Sequence, residues 1–184
     1  MELDRPDPGR AGGPRFEVVT SVADSDAGQV WPVYDAVFGD QPDLATWRAE
    51  VWDRHVARAG FRLARARVED RVLGFAYGYT GEPGEWWTDR VALRLDPAVA
   101  AEWLGGHFEL VSIGVLPHGR GRGLGTGLLR TLTAGLPHER WLLTTSVDAD
   151  DPARHLYARE GWRVIGPGLR DDQVTLAKRR PTGS

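Results

Sequence analysis

Apolar side chains along this chain follow two rhythms, one of two residues and one of about 3.6, and switch between them at clear punctuation. Phe16–Thr20 alternates and predicts a first strand. Val30, Tyr34, Val37 and Phe38 then recur at helical spacing, and so do Leu44, Trp47, Val51 and Val56, with Asp43 placed to cap the second set. Phe61–Val68 and Leu73–Tyr79 predict a hairpin turning at Glu69–Asp70. In its second arm Leu73, Phe75, Tyr77 and Tyr79 alternate with Gly74, Ala76 and Gly78, a large face against a small one. Phe108–Leu116 is apolar almost throughout, as a central strand covered on both faces requires. Leu124, Leu128, Leu132 and Leu136 form a stripe at spacing four, the core face of a helix. Trp141–Ser146 predicts the next strand, Pro152–Arg159 another helix, and Trp162–Ile165 and Val174–Ala177 the closing strands. There are no internal repeats, and the pattern supports a mixed α/β sheet.

The segment Thr80–His107 is longer than a hairpin connection needs, and such connections usually carry function or lack order. Trp86 and Trp87 argue for order. Asp96–Pro97 reads as the cap and first turn of a helix ending at Gly105–Gly106.

Composition narrows the function. At 184 residues the chain is long enough for one domain with a substantial core, and 41% apolar with 27% charged residues is ordinary for a globular protein. A net charge of −3 leaves no basic stripe for nucleic acid or an anionic membrane. The absence of cysteine removes disulfides, thiolate metal sites and a catalytic thiol. His55, His107, His118, His138 and His155 show no i, i+4 pair, so no metal site is expected. Met1–Pro14, polar and rich in Pro and Gly, lacks the apolar core of a signal peptide and reads as a disordered tail, as does Arg179–Ser184. The folded domain is therefore expected over 15–178. No apolar run approaches the roughly 20 residues that span a bilayer. A cytoplasmic address is the default expectation.

The chemistry concentrates where Val115–Leu116–Pro117–His118–Gly119–Arg120–Gly121–Arg122–Gly123–Leu124–Gly125 runs into the leucine stripe. A strand entering a glycine-rich turn that opens a helix leaves backbone N–H groups unpaired at the positive end of the helix dipole, a seat for a pyrophosphate-sized anion. Side chains at Gly123 or Gly125 would hold a ligand off, and Arg120 and Arg122 add guanidinium forks suited to phosphate oxygens. No glycine pair is followed by the Lys and Ser or Thr of a Walker loop. The dinucleotide pattern G-x-G-x-x-G fails because Leu124, Thr126 and Leu128 fall where its third glycine belongs.

What remains is R-x-x-G-x-G at Arg120, Gly123 and Gly125, which resembles the coenzyme A pyrophosphate loop of the GNAT superfamily of N-acetyltransferases. A second motif agrees with it. Asp150–Asp151–Pro152–Ala153–Arg154–His155–Leu156–Tyr157–Ala158–Arg159–Glu160–Gly161–Trp162 is similar to the family's N-x-x-A-x-x-L-Y-x-x-x-G-[FW], with Ala153, Leu156, Tyr157, Gly161 and Trp162 in register. Asp150 stands where the family has Asn. Asp151 still caps the helix, Pro152 suits its first position, and Gly161 is the expected left-handed stop. One helix and one strand separate the two motifs, as in the family.

The resemblance implies a GNAT fold over about residues 16–178: a mixed central sheet of six to seven strands, about four flanking helices and a splayed pair of central strands. It implies acetyl-CoA as co-substrate and a small-molecule or peptide amine as acceptor, attacked directly in a ternary complex. It also places backbone groups around Ile113, Gly114 and Val115 on the pantetheine and thioester oxygen. The pyrophosphate would lie on Arg120, Gly121, Arg122, Gly123, Leu124, Gly125 and Thr126, with Asp150 and Tyr157 also at the cofactor. Tyr157 is the candidate general acid, a phenol that stays protonated at neutral pH; packed in the helix's apolar stripe, it is also a plausible core residue. Glu109, eleven residues before Arg120, is the candidate general base at the offset found in histone-acetylating relatives; a solvated strand-edge glutamate or an ordered water are the alternatives.

Other readings stay open from sequence alone. Arg120 and Arg122 also suit solvated loop cations, and Thr126 an ordinary helix position. Trp86 and Trp87 fit an acceptor wall, the core or a dimer interface, and eight tryptophans in the chain are compatible with a homodimer. The carboxylates Asp35, Asp40, Asp43, Glu82, Glu85 and Asp89 fall in the pocket-forming regions and suit a cationic amine. A catalytically silent acyl-CoA-binding module is the rival class, and it has no reason to keep Tyr157 with Glu109. A protein-modifying acetyltransferase is a third reading, although no docking domain or basic tail accompanies the chain.

Overall fold

The structure, a computed structural model, describes residues 13–181. Segments 1–12 and 182–184, most of the two expected tails, lie outside the described residues. The elements run β1 (Arg15–Val19), α1 (Asp24–Phe38), α2 (44–56), β2 (Arg62–Val68), β3 (Arg71–Gly81), α3 (Trp86–Ala92), α4 (Pro97–Trp103), β4 (His107–Val115), α5 (Leu124–Thr133), β5 (Arg140–Ser146), α6 (Pro152–Arg159), β6 (Arg163–Pro167) and β7 (Gln173–Arg179). They build a seven-stranded sheet in the order β1-β2-β3-β4-β5-β7-β6. Every neighbouring pair is antiparallel except β4 with β5. β7 passes the expected domain end by one residue, where Arg179 pairs with Arg140.

The expected strands, the first two helices and the glycine-led helix all form, and their signals act as anticipated. Asp43 accepts the Thr46 N–H at 2.8 Å and Asp96 the Ala98 N–H at 2.8 Å. α1 and α2 cover one face of β2–β4 through Val30, Val33, Tyr34, Trp47 and Trp52. α3 and α4 cover the same face further along, over Leu142 of β5 and Ala177 of β7. The opposite face receives α5 and α6, with Leu124, Leu128, Leu132 and Leu136 all buried as their spacing predicts. α5 comes so close to β1 that any side chain at Gly127 would run into the Phe16 ring.

Two expectations are corrected. Leu73 does not share a face with Phe75, Tyr77 and Tyr79. A bulge between the pairs Ala66↔Gly74 and Arg67↔Val72 leaves Leu73 without a partner on β2 and turns it into the opposite cluster. α2 contains a π-helical stretch, Arg48–Trp52, which adds a residue to the turn and brings Trp52 beside Trp47 with ring centroids 5.0 Å apart. The core residue is thus Trp52, 2% exposed, and Val51 packs only at the cluster's margin. Among the described residues six helices flank the sheet, since 80–107 folds into α3 as well as the expected, capped α4.

The tryptophans likewise do not form an exposed set. Trp47, Trp52, Trp87, Trp103, Trp141 and Trp162 are buried, Trp31 is half-buried, and Trp86 is 63% exposed. Their number therefore gives no support to a dimer interface.

Candidate active site

Between β4 and α5 the chain makes a short 3-10 turn, Pro117–Gly119, and then the glycine turn. Gly121 and Gly123 adopt left-handed backbone with φ of 73° and 77°, which explains why glycine stands at both. No protein atom lies within 4 Å of a Cβ built on either one, so the space in front of them is open. The Arg120 N–H reaches the Pro117 carbonyl at 3.2 Å, and the next N–H with a backbone acceptor is that of Gly127, bonded to Gly123 at 2.9 Å. The N–H groups of Gly121, Arg122, Gly123, Leu124, Gly125 and Thr126 are thus available together at the start of α5. Arg120 and Arg122 are exposed beside them, and Arg120 Nε approaches the Val115 carbonyl at 3.4 Å.

β4 and β5 separate almost as soon as they meet. Only Phe108↔Trp141 and Glu109↔Leu142 pair, although the strands have nine and seven residues. Backbone groups along 110–115 that point away from β3 face the resulting gap, and Ile113, Gly114 and Val115 lie on its β4 side. A bulge at Val111, between Tyr77↔Ser112 and Gly78↔Leu110, sets in just beyond the last pair and re-aims the strand. The expected splay is therefore present, and its open end leads to the glycine turn.

Glu109 sits at the point of separation. It is 3% exposed, and its Oε2 is buried without a hydrogen-bond partner. Burial pushes its carboxyl up to about 8, Glu85 pushes the same way, and Arg58 opposes both. Tyr79, its direct antiparallel partner on β3, shares its face. Arg58 Nη1 pairs with Glu85 Oε1 at 2.5 Å, and its guanidinium stands 5.5 Å from the Tyr79 ring centroid. Beside them His55 Nδ1 lies 3.0 Å from the Tyr77 hydroxyl, and burial pushes that imidazole down to about 4, so it is neutral at pH 7. His107, also on β4, is fully buried and likewise held neutral by desolvation, with Arg140 and His138 contributing.

Tyr157 belongs to the other face. It is buried with Phe108, Leu110, Trp141 and Trp162, and desolvation, aided by Asp151, raises its phenol well above the usual range. The two motifs nevertheless meet, because Leu156 is the nearest side chain to a Cβ placed on Gly125, at 3.2 Å. Asp151 caps α6 by accepting the Ala153 N–H at 2.7 Å. The helix closes with Trp162 N–H on the Tyr157 carbonyl at 3.0 Å and Gly161 N–H on Ala158 at 3.1 Å, around a left-handed Gly161. Asp150 is exposed in the preceding loop, its N–H on Asp148. Thr126 lies half-buried in the first turn of α5.

Of the carboxylates noted in the pocket-forming regions, several have local duties. Asp43 caps α2, Asp40 accepts from the Tyr34 hydroxyl, Asp89 accepts the Gly84 N–H and Glu82 the Gly106 N–H. Glu85 alone of them acts on Glu109. The sequence gives Arg58, Tyr79 and His55 no place at this site; the stripe containing Tyr79 is visible in it, but nothing local announces that a turn after α2 returns to it. Trp87 is core, with Nε1 reaching Thr144 at 3.4 Å, and Trp86 is not. Among the described residues no group of three His, Cys, Asp or Glu is arranged to hold a metal, and no helix is long and apolar enough to cross a membrane.

Comparison with known proteins agrees with this fold. The model of the acetyltransferase (GNAT) family matches residues 29–162. A GCN5-like protein acetyltransferase of Mycobacterium tuberculosis is 34% identical over 149 residues, covering 65% of this chain and 72% of that protein. An acetyltransferase from Thermus thermophilus has a similar structure, with a TM-score of 0.65 at 16% identity over 92% of this chain and 99% of that one. A GNAT-family acetyltransferase from Streptococcus agalactiae gives 0.64 at 12% identity over 91% and 96%. The two structures speak for the fold alone. The family match spans both the glycine turn and the α6 motif, and on it this chain belongs to the GNAT acetyltransferases, enzymes that take acetyl-CoA as co-substrate and act on amine acceptors.

Proposed function

We propose that this protein transfers the acetyl group of acetyl-CoA to a primary amine of a small molecule or peptide, by direct attack with both substrates bound together. Glu109 carries the reading: a buried carboxylate with an unpartnered oxygen, at the mouth of the strand gap. Such a group costs stability, and a module that only binds acyl-CoA has no use for it. Its raised pKa near 8 makes it a base strong enough to take a proton from an ammonium, leaving a neutral nucleophile. The six free N–H groups at the start of α5, with Arg120 and Arg122, are suited to the pyrophosphate. Backbone groups around Ile113, Gly114 and Val115 are suited to orient the pantetheine and polarise the thioester carbonyl. Tyr157, kept protonated by burial, is suited to give the departing sulfur a proton.

The test is thiol release from acetyl-CoA over a panel of amines. Amine-dependent release is the expected result, and its absence with every amine overturns the reading. Replacing Tyr157 by Phe is expected to lower turnover by about 10²-fold, the scale of a lost acid–base group, with little change in acetyl-CoA affinity because the ring stays in place. Undiminished turnover would make Tyr157 a packing residue.

A further inference from the structure

Arg58 and Glu85 form an ion pair over Tyr79, on the face of the sheet that carries Glu109. Arg58 belongs to the turn after α2 and Glu85 is the N-cap of α3, so the pair joins two separate connections across the face of β3 and β4. The guanidinium has a carboxylate at 2.5 Å and an aromatic ring 5.5 Å beneath it. That ring is Tyr79, the cross-strand partner of Glu109, whose buried Oε2 has nothing to bond. The guanidinium thus has a carboxylate and an aromatic ring about it, and Glu109 lies across the strand pair from that ring. With side-chain exposures of 36% and 21%, the pair is wet enough to exchange partners at little cost.

We propose that Arg58 holds the place of the acceptor's ammonium, so that the acceptor is a cationic primary amine that displaces Arg58 from Glu85 on its way to Glu109. This rests on the acetyl-transfer reading above and makes Arg58 and Glu85 determinants of acceptor choice. The arriving R–NH3+ releases Arg58 towards solvent and gives one proton to the Glu109 carboxylate. The N–C bond then forms as the C–S bond breaks, Tyr157 gives its proton to the sulfur, and the second proton of the nitrogen restores the phenol. The products are an amide and a free thiol, and Glu109 returns its proton to water.

The other titratable groups around Glu109 do not supply this role. Tyr77 and Tyr79 face it from β3 with raised phenols, His55 from α2 is neutral, and His107 on β4 is neutral. Leu142 on β5 carries no charge. Arg58 and Glu85 are the two charges that act on Glu109, and they act in opposite senses.

Steady-state kinetics on wild type, Arg58→Gln, Arg58→Lys and Glu85→Gln test this, using the best alkylamine of the panel and a zwitterionic amino acid of similar size. Arg58→Gln is expected to lower KM for the alkylamine about threefold, the scale of a partly exposed ion pair, and not for the amino acid. It also moves the rise of kcat/KM to higher pH. Glu85→Gln raises KM and moves the rise to lower pH, and Arg58→Lys retains the wild-type profile. Acetyl-CoA affinity by calorimetry stays constant throughout, which separates these effects from misfolding. A KM that stays level or rises in Arg58→Gln, or shifts of pH profile in the same direction for both charge-removing variants, overturns the inference while leaving the transfer reading intact. Failure of wild type with every amine takes down both.

Discussion

Glu109→Gln is expected to lower kcat/KM by about 10³-fold and to abolish its rise with pH, because an amide cannot accept the ammonium proton. In wild type the carboxyl titrates near 8, so at neutral pH most molecules carry it protonated and idle. The rate should climb through that midpoint and level off above it. The same substitution should stabilise the fold. The folded-state pKa lies above the ordinary carboxyl value of 4.5, so native protein holds this proton where unfolded chain has lost it. Stability attributable to Glu109 therefore falls as pH rises between about 5 and 8, and the mutant escapes that loss. Thermal melting at pH 5 and pH 8 checks the sign: the mutant's advantage grows with pH. A mutant with wild-type kinetics across the range would transfer the base role to water.

Gly123→Val is expected to weaken acetyl-CoA binding by at least about 10²-fold, measured by calorimetry. Two costs combine. At φ 77° a β-branched residue is strained by roughly 1–2 kcal/mol, and the turn must deform to relieve it. The valine would also stand where the N–H row is open, since no protein atom fills that space now. Because the protein itself has room, the core should survive, and a modest drop in melting temperature should accompany the large loss of affinity. Arg122→Ala should weaken binding only severalfold, since Arg122 is an exposed cation beside the backbone row. Binding retained in Gly123→Val would move the phosphate site away from this turn.

Features set by local chemistry were legible in the sequence. Asp43, Asp96 and Asp151 cap helices because a carboxylate one residue ahead of a helix satisfies its first N–H groups, whatever the rest of the fold does. Gly161 and the leucine stripe of α5 follow from equally short-range rules. What stayed hidden depends on the partner strand or on chain returning from far away. Leu73 obeys its alternation until β2 imposes a bulge, and Trp52 enters the core because a π turn shifts the helix's phase. Arg58 and Glu85 are 27 residues apart and meet through tertiary packing alone. Glu109 was visible as a candidate. Its deep burial and its place at the last β4–β5 pair were not, because the splay is a relation between two strands and each looks ordinary by itself.

Two rungs between β4 and β5 also divide the sheet into an antiparallel ribbon of four strands and another of three. Cooperative unfolding of the whole domain must then pass largely through helix packing, and the seam is the natural line along which the two ribbons open independently. A ligand lying in the gap would bond to β4 and touch α6 together, bridging the seam from both sides. Amide hydrogens of 110–115 that face the gap should exchange readily in the free protein and slowly in the bound one, while those facing β3 stay protected in both. Binding energy in such an architecture does more than hold a co-substrate: it couples across the gap two ribbons that otherwise meet through side-chain packing.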